Sequence, residues 1–142
     1  MKKTPGFILF ILLLLVALYY LVYQSGKTHE RAECMGTYQI DMENSDFNGH
    51  FTDSNIFSNL KLQINAHNTF SFSERVPFIY GKEGTWTTLT IDGEYLYCVL
   101  KYQQDSFEEQ FLCKGYTLSK EQPIAKDKHL SIKLLKMKKI EW

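Results

Sequence analysis

Thr85-Trp86-Thr87-Thr88-Leu89-Thr90-Ile91-Asp92-Gly93-Glu94-Tyr95-Leu96-Tyr97-Cys98-Val99-Leu100-Lys101-Tyr102 is two runs of β-branched and aromatic residues around an Asp-Gly pair. Such residues suit a pleated, half-buried surface. Asp-Gly supplies the two positive-φ positions of a tight hairpin turn. A two-residue turn sets Ile91 opposite Glu94, Leu89 opposite Leu96 and Trp86 opposite Val99. Both faces then carry apolar residues, so the hairpin is expected centrally in a sheet, or rolled so that each face meets something.

The flanking segments repeat the pattern. Leu60, Leu62 and Ile64 alternate with Lys61, Gln63 and Asn65, and Asn65-Ala66-His67-Asn68 carries turn chemistry. Thr69–Ser73 alternates again, with Phe70 and Phe72 on one face. Gly36–Asp41 reads as a short first strand, with Tyr38 and Ile40 on one face. Met42–Ser58 is irregular, with Ser45 and Thr52 as candidate helix caps, and Val76–Gly84 is a longer connection. Beyond the hairpin, Gln103–Ser106 is a turn and Phe107–Leu118 one strand. Ser119–Lys128 reads as a polar loop and His129–Leu134 as a closing strand. Leu134–Ile140 fits a bulged strand or a short helix equally. The expected fold is all-β, an antiparallel meander of about seven strands rolled into a barrel or half-barrel.

The N-terminus follows a different rule. Phe7–Tyr23, FILFILLLLVALYYLVY, has no charge. Seventeen helical residues reach roughly 25 Å, the short end of a bilayer span. Lys2 and Lys3 place residues 1–6 in the cytoplasm, and Tyr19, Tyr20 and Tyr23 suit the far interface. A cleaved signal peptide shares the basic start and apolar run, but no small-x-small site follows. The expected organisation is a cytoplasmic N-terminus (1–6), a single-pass signal-anchor helix (7–23), a polar tether (24–33) and an extracytoplasmic β-domain (34–142). Anchored or cleaved, the domain lies outside the cytoplasm.

Net charge is zero, which gives no basis for nucleic-acid binding. The charge is uneven: residues 33–113 hold twelve Asp/Glu against four Lys/Arg, and residues 114–142 eight Lys against three acids. Alternating lysines in Lys133–Lys139 are read as the guard of an exposed last strand, or as a contact for anionic lipid or an acidic partner. An extracytoplasmic domain permits disulfides. A turn centred between Asp105 and Ser106 would set Cys98 opposite Cys113, the candidate bridge; the alternative is two buried thiols. Cys34 is left over, to be buried or to pair with another chain.

Cys34-x-Gly36-Thr37-Tyr38, then Leu60-x-Leu62-x-x-Asn65, Thr69-Phe70-x-Phe72 and Gly84-Thr85-Trp86 occur in that order. Over residues 34–102 this resembles the lipocalin-like half-barrel domains of small bacterial envelope lipoproteins. The resemblance implies a location in the cell envelope and a barrel-like fold, with the Gly, Tyr and Trp at turn and core positions. It carries over no catalytic residue. The chain departs from that group in that Cys34 stands eleven residues past the apolar run. A membrane helix takes the place of a lipid anchor.

Chemistry-bearing patterns are sparse. His29, His50, His67 and His129 are not spaced as a metal pair, and the cysteines form no C-x-x-C. Asp41, Glu43, Asp46 and Asp53 do not match a calcium loop. Glu108-Glu109 reads as a charged surface pair. No catalytic, cofactor-binding or metal residue is assigned, no cofactor is expected, and an enzyme would need a polar cluster converging in a cleft. The expected function is a membrane-anchored extracytoplasmic binding module. Its partner would be a small apolar ligand in the barrel mouth, or an envelope protein segment. The alternative is a protein-interaction subunit of an envelope complex, or a membrane-bound inhibitor or immunity factor. A cavity or a packed interior separates the two.

Overall fold

The structure is a computed structural model in which residues 5–51, 57–121 and 132–142 are described. The chain divides into two units, residues 1–32 and 33–142.

The first unit is α1, Pro5–Cys34, whose last residues enter the second. Apolar all round from Phe7 to Tyr23, it has no polar face to give to water. It is long and apolar enough to cross a membrane, as an anchor or signal sequence would be. The helix does not stop where the apolar run stops. Residues 24–33, expected as a tether, are helical. Gln24 Nε2 donates to Tyr20 Oη at 2.8 Å, and Thr28 Oγ1 to the Gln24 carbonyl at 2.9 Å. Extending a helix that is already nucleated costs little for Lys, Glu, Arg and Ala.

The second unit is a closed eight-stranded barrel. Its strands are β1 (Gly36–Ile40), β2 (Lys61–Ile64), β3 (Thr69–Phe72), β4 (Glu83–Ile91), β5 (Tyr95–Tyr102), β6 (Glu108–Lys114), β7 (Thr117–Glu121) and β8 (Leu134–Glu141). Each pairs antiparallel with its sequence neighbours, and β8 pairs with β1. The all-β meander is therefore realised as a closed barrel.

The eighth strand comes from a turn. Gly115, at φ +59°, and Tyr116 break the run 107–118, and Lys114 pairs with Thr117. Residues 117–121 become β7, where a loop was expected from Ser119 onward. Leu134–Glu141 is a strand, with a register shift against β1 between Thr37 and Tyr38. Bonded on both sides, β8 has no free edge for its lysines to guard. His129–Ser131, expected in the closing strand, lie outside the described residues.

The Asp92-Gly93 turn forms, with φ of +54° and +70° and the Glu94 N–H bonded to the Ile91 carbonyl at 3.2 Å. Glu94 is then an extra residue before the ladder. The pairs become Ile91–Tyr95, Leu89–Tyr97 and Trp86–Leu100. One residue of slip turns every β5 side chain to the other face. Leu96, Cys98, Leu100 and Tyr102 now point inward and Tyr95 and Tyr97 outward, while Val99, on the outer face by alternation, is itself buried.

The interior is filled by side chains. Tyr38, Leu62, Phe70, Phe72, Leu100, Tyr102, Phe111, Leu118, Leu135 and Met137 are all under 2% exposed. Phe70 meets Tyr102 edge-on at 5.3 Å. Trp86 is buried, with Nε1 donating to the Asn65 carbonyl at 2.7 Å. Gly84 is glycine because a Cβ there would stand 2.0 Å from the Lys101 carbonyl oxygen. At the Ile40 end of the barrel, Phe47, Phe51, Phe57 and Phe78 pack edge-to-face, Phe57 and Phe78 at 4.7 Å. The irregular segment after β1 thus supplies an aromatic plug.

Candidate functional site

With the inner face spent on packing, the surfaces left for recognition are the outer wall and the clefts at the barrel end, one of about 420 Å³ lined among others by Val76, Pro77, Ile79 and Tyr80. On β4–β6 the outward-facing residues form cross-strand rows. Leu89, Tyr97 and Leu112 make one row and Ile91 with Tyr95 another. Leu89 and Ile91 are each 39% exposed, and Tyr95 49%. The β3–β4 ladder ends at Thr85, whereas the β4–β5 ladder runs on to Ile91, so the hairpin projects past its β3 neighbour. A cleft of about 590 Å³ continues the surface, lined among others by Tyr97, Gln110, Leu112, Ser119 and Leu134. Contiguous exposed apolar side chains rimmed by polar ones are the usual mark of an interaction surface.

Among the described residues two formally charged side chains, Glu109 and Lys139, are buried. Glu109 is 2% exposed, unlike the surface acid expected; only Glu108 faces out, 3.7 Å from Lys101. Tyr102 Oη donates to Glu109 Oε2 at 2.9 Å, and Lys120 Nζ stands 3.2 Å from Oε1. The lysine's approach is an ion pair lacking hydrogen-bond alignment. Burial, then the Glu109 charge, pushes the Tyr102 phenol above its usual range. Lys139, read as a surface lysine, is 8% exposed. Its Nζ donates to the Glu33 carbonyl at 2.7 Å and lies 4.4 Å from the Trp142 ring centroid. Burial holds its ammonium below the ordinary lysine value. Both are engaged structurally, and neither lines the outer-wall cleft.

The candidate bridge between Cys98 and Cys113 is displaced. Cys98 pairs with Phe111 and Cys113 with Leu96, so the two are diagonal neighbours two residues out of step. The β5–β6 turn centres one residue earlier than expected, with the Tyr102 N–H bonded to the Phe107 carbonyl at 2.8 Å. Cys34, Cys98 and Cys113 are all buried free thiols.

The remaining sequence candidates stay apart. Asp41 accepts from the Asn44 N–H at 3.2 Å and Asn44 Nδ2 at 2.8 Å, and Asp46 from the Asn48 N–H at 2.9 Å, as turn-forming carboxylates do. His29 is in α1, while His50 and His67 sit in turns. Asp53 and His129 lie outside the described residues. Among the described residues no three such side chains converge as metal ligands. The outer-wall patch was missed because the one-residue slip at Glu94 decides which of Leu96 and Tyr97 faces out. Its one visible signal was the apolar content of both hairpin faces.

Compared with protein-family models, with curated proteins and with solved structures, the chain matches none.

Proposed function

We propose that the chain is a membrane-anchored, extracytoplasmic binding module of the cell envelope that acts through a protein partner held on the outer wall of β4–β6. The observation that carries this reading is the division of apolar surface. The barrel interior is packed, while Leu89, Ile91, Tyr95, Tyr97 and Leu112 form an apolar tract outside it. A small apolar ligand needs a concave site that can bury most of its surface. Leu100, Phe111, Leu118 and Met137 fill that space. The packed interior therefore favours the protein-interaction reading, an accessory subunit or inhibitor, over a small-molecule carrier. The order of Gly-Tyr, hairpin and Gly-Trp pieces supports a lipocalin-like kinship. The buried Tyr38 and Trp86 and the crowded Gly84 agree with their core and turn roles in it. Lys2 and Lys3 ahead of the apolar helix support a cytoplasmic N-terminus.

The test is native electrophoresis of gently solubilised membranes. The wild-type chain is expected in a discrete complex larger than itself, and Leu89→Glu with Tyr95→Glu should return it to its free size with the fold retained. A wild-type chain that migrates alone, or a complex indifferent to both charges, would sink the reading.

A further inference from the structure

The thiols meet at the Gly36 end of the barrel. Cys113 points inward from β6, in a cross-strand row with Leu96 and Leu118. Its sulfur lies 3.9 Å from the Glu33 carbonyl oxygen, on the peptide that joins Glu33 to Cys34. Cys34 is fully buried, and its own carbonyl accepts from Tyr38 Oη at 2.9 Å, which fixes the segment against β1. Lys139 Nζ closes the same corner through the Glu33 carbonyl. The Cys34 thiol lies within interaction reach of both Cys113 and Cys98, and Cys113 also meets the Glu33–Cys34 peptide. By contrast, diagonal strand neighbours such as Cys98 and Cys113 stand about 7–8 Å apart between Cα atoms. That exceeds the roughly 6.8 Å a disulfide spans.

We propose that Cys34 and Cys113 form a disulfide that bolts the segment entering β1 to β6, leaving Cys98 as a buried thiol. The proposal rests on the extracytoplasmic reading, because the cytoplasm keeps thiols reduced. The oxidant is a disulfide of the compartment, carried by a thiol–disulfide oxidoreductase or oxidised glutathione. The Cys34 thiolate attacks one of its sulfurs and releases the other as a thiolate. The Cys113 thiolate then attacks Cys34 Sγ and expels the second oxidant sulfur. Two protein thiols lose two protons and two electrons, and the oxidant disulfide leaves as a dithiol. In the closed barrel the Cys113 contact favours ionised Cys34, but the Cys98 contact and burial push its thiol up overall. Buried thiols react slowly, so the exchange belongs to folding, before the barrel closes over them.

The experiment traps thiols with N-ethylmaleimide in intact cells, purifies the full chain, digests it without reduction and maps linked peptides by mass spectrometry. In parallel, reduced, purified full-length protein in detergent is refolded in a glutathione redox buffer. The expected product of both is a Cys34–Cys113 peptide, retained in Cys98→Ser and lost in Cys34→Ser. The bridged chain should run faster on a non-reducing gel. A Cys98–Cys113 or Cys34–Cys98 peptide, an intermolecular link, or three free thiols in both preparations would overturn the pairing. Free thiols in cells with the bridge formed in glutathione buffer would uphold the pairing and overturn the location.

Discussion

Lys120→Met should cost the barrel roughly 3 kcal/mol at neutral pH, because it strands a buried carboxylate. Glu109 is 2% exposed, with two neighbours: the Tyr102 hydroxyl at 2.9 Å and the Lys120 ammonium at 3.2 Å. Methionine keeps the length of the side chain and removes the charge. Stranding one member of a buried pair typically costs about 3–5 kcal/mol. Urea unfolding of wild type and variant at pH 7, followed by near-ultraviolet circular dichroism, measures the difference. At pH 7 a loss near 3 kcal/mol is about 12–24 °C in Tm for a domain of this size. The double change Glu109→Gln with Lys120→Met should recover most of it. A single-variant loss under about 0.5 kcal/mol, or a double change that recovers none of the loss, would refute the assignment of a buried, lysine-dependent carboxylate.

Three further outcomes follow from other parts of the barrel. Gly84→Ala forces a Cβ to within 2.0 Å of the Lys101 carbonyl oxygen and 2.9 Å of Phe70; overpacking of this kind costs about 1–3 kcal/mol or more, whereas Gly93→Asn at the open, positive-φ hairpin tip should stay within about 0.5 kcal/mol in the same unfolding assay. In reducing buffer the contact with Cys34 and burial hold the Cys113 thiol above its ordinary value, and Cys34 is also raised. Above about pH 9 the unfolded chain sheds protons the folded one keeps, so stability falls with rising pH, and Cys34→Ser with Cys113→Ser should flatten the slope by about 2.8 kcal/mol per pH unit. Equal slopes in urea titrations at pH 8.5, 9.5 and 10 would contradict the thiol assignment. Leu89→Glu and Tyr95→Glu change exposed positions and should leave urea midpoints within about 0.5 kcal/mol of wild type; a larger loss would mean that this tract is core.

Much of the architecture could be read from periodicity. Leu60/Leu62/Ile64, Phe70/Phe72 and Tyr38/Ile40 are buried as their alternation requires, because each strand has one face to bury and a period of two. What periodicity could not supply was count and phase. One extra residue at Glu94 exchanges the two apolar faces of β5, and nothing local distinguishes the phases when both read as apolar. Gly115-Tyr116 is a two-residue turn inside a run whose alternation continues on both sides, so β6 and β7 read as one strand. Glu109 and Lys120 looked like surface charges, since their burial depends on meeting each other and Tyr102 across three strands. The helical state of residues 24–33 is inherited from the apolar helix ahead of them and leaves little trace in their own composition. The proposed interaction surface depended on the phase of β5, which is why the cysteine candidates were visible in sequence and the outer-wall tract was not.

A packed barrel that recognises a protein through one side of its outer wall is the central proposal. The direct measurement is photo-cross-linking in intact membranes. A photoreactive residue replaces Leu89, Tyr97 or Leu112 in turn, and Lys61 or Gln63 on β2 in the controls. One cross-linked species of defined mass from the first three positions and none from β2 is the predicted result. Equal cross-linking all round the barrel, or none from β4–β6, would contradict it.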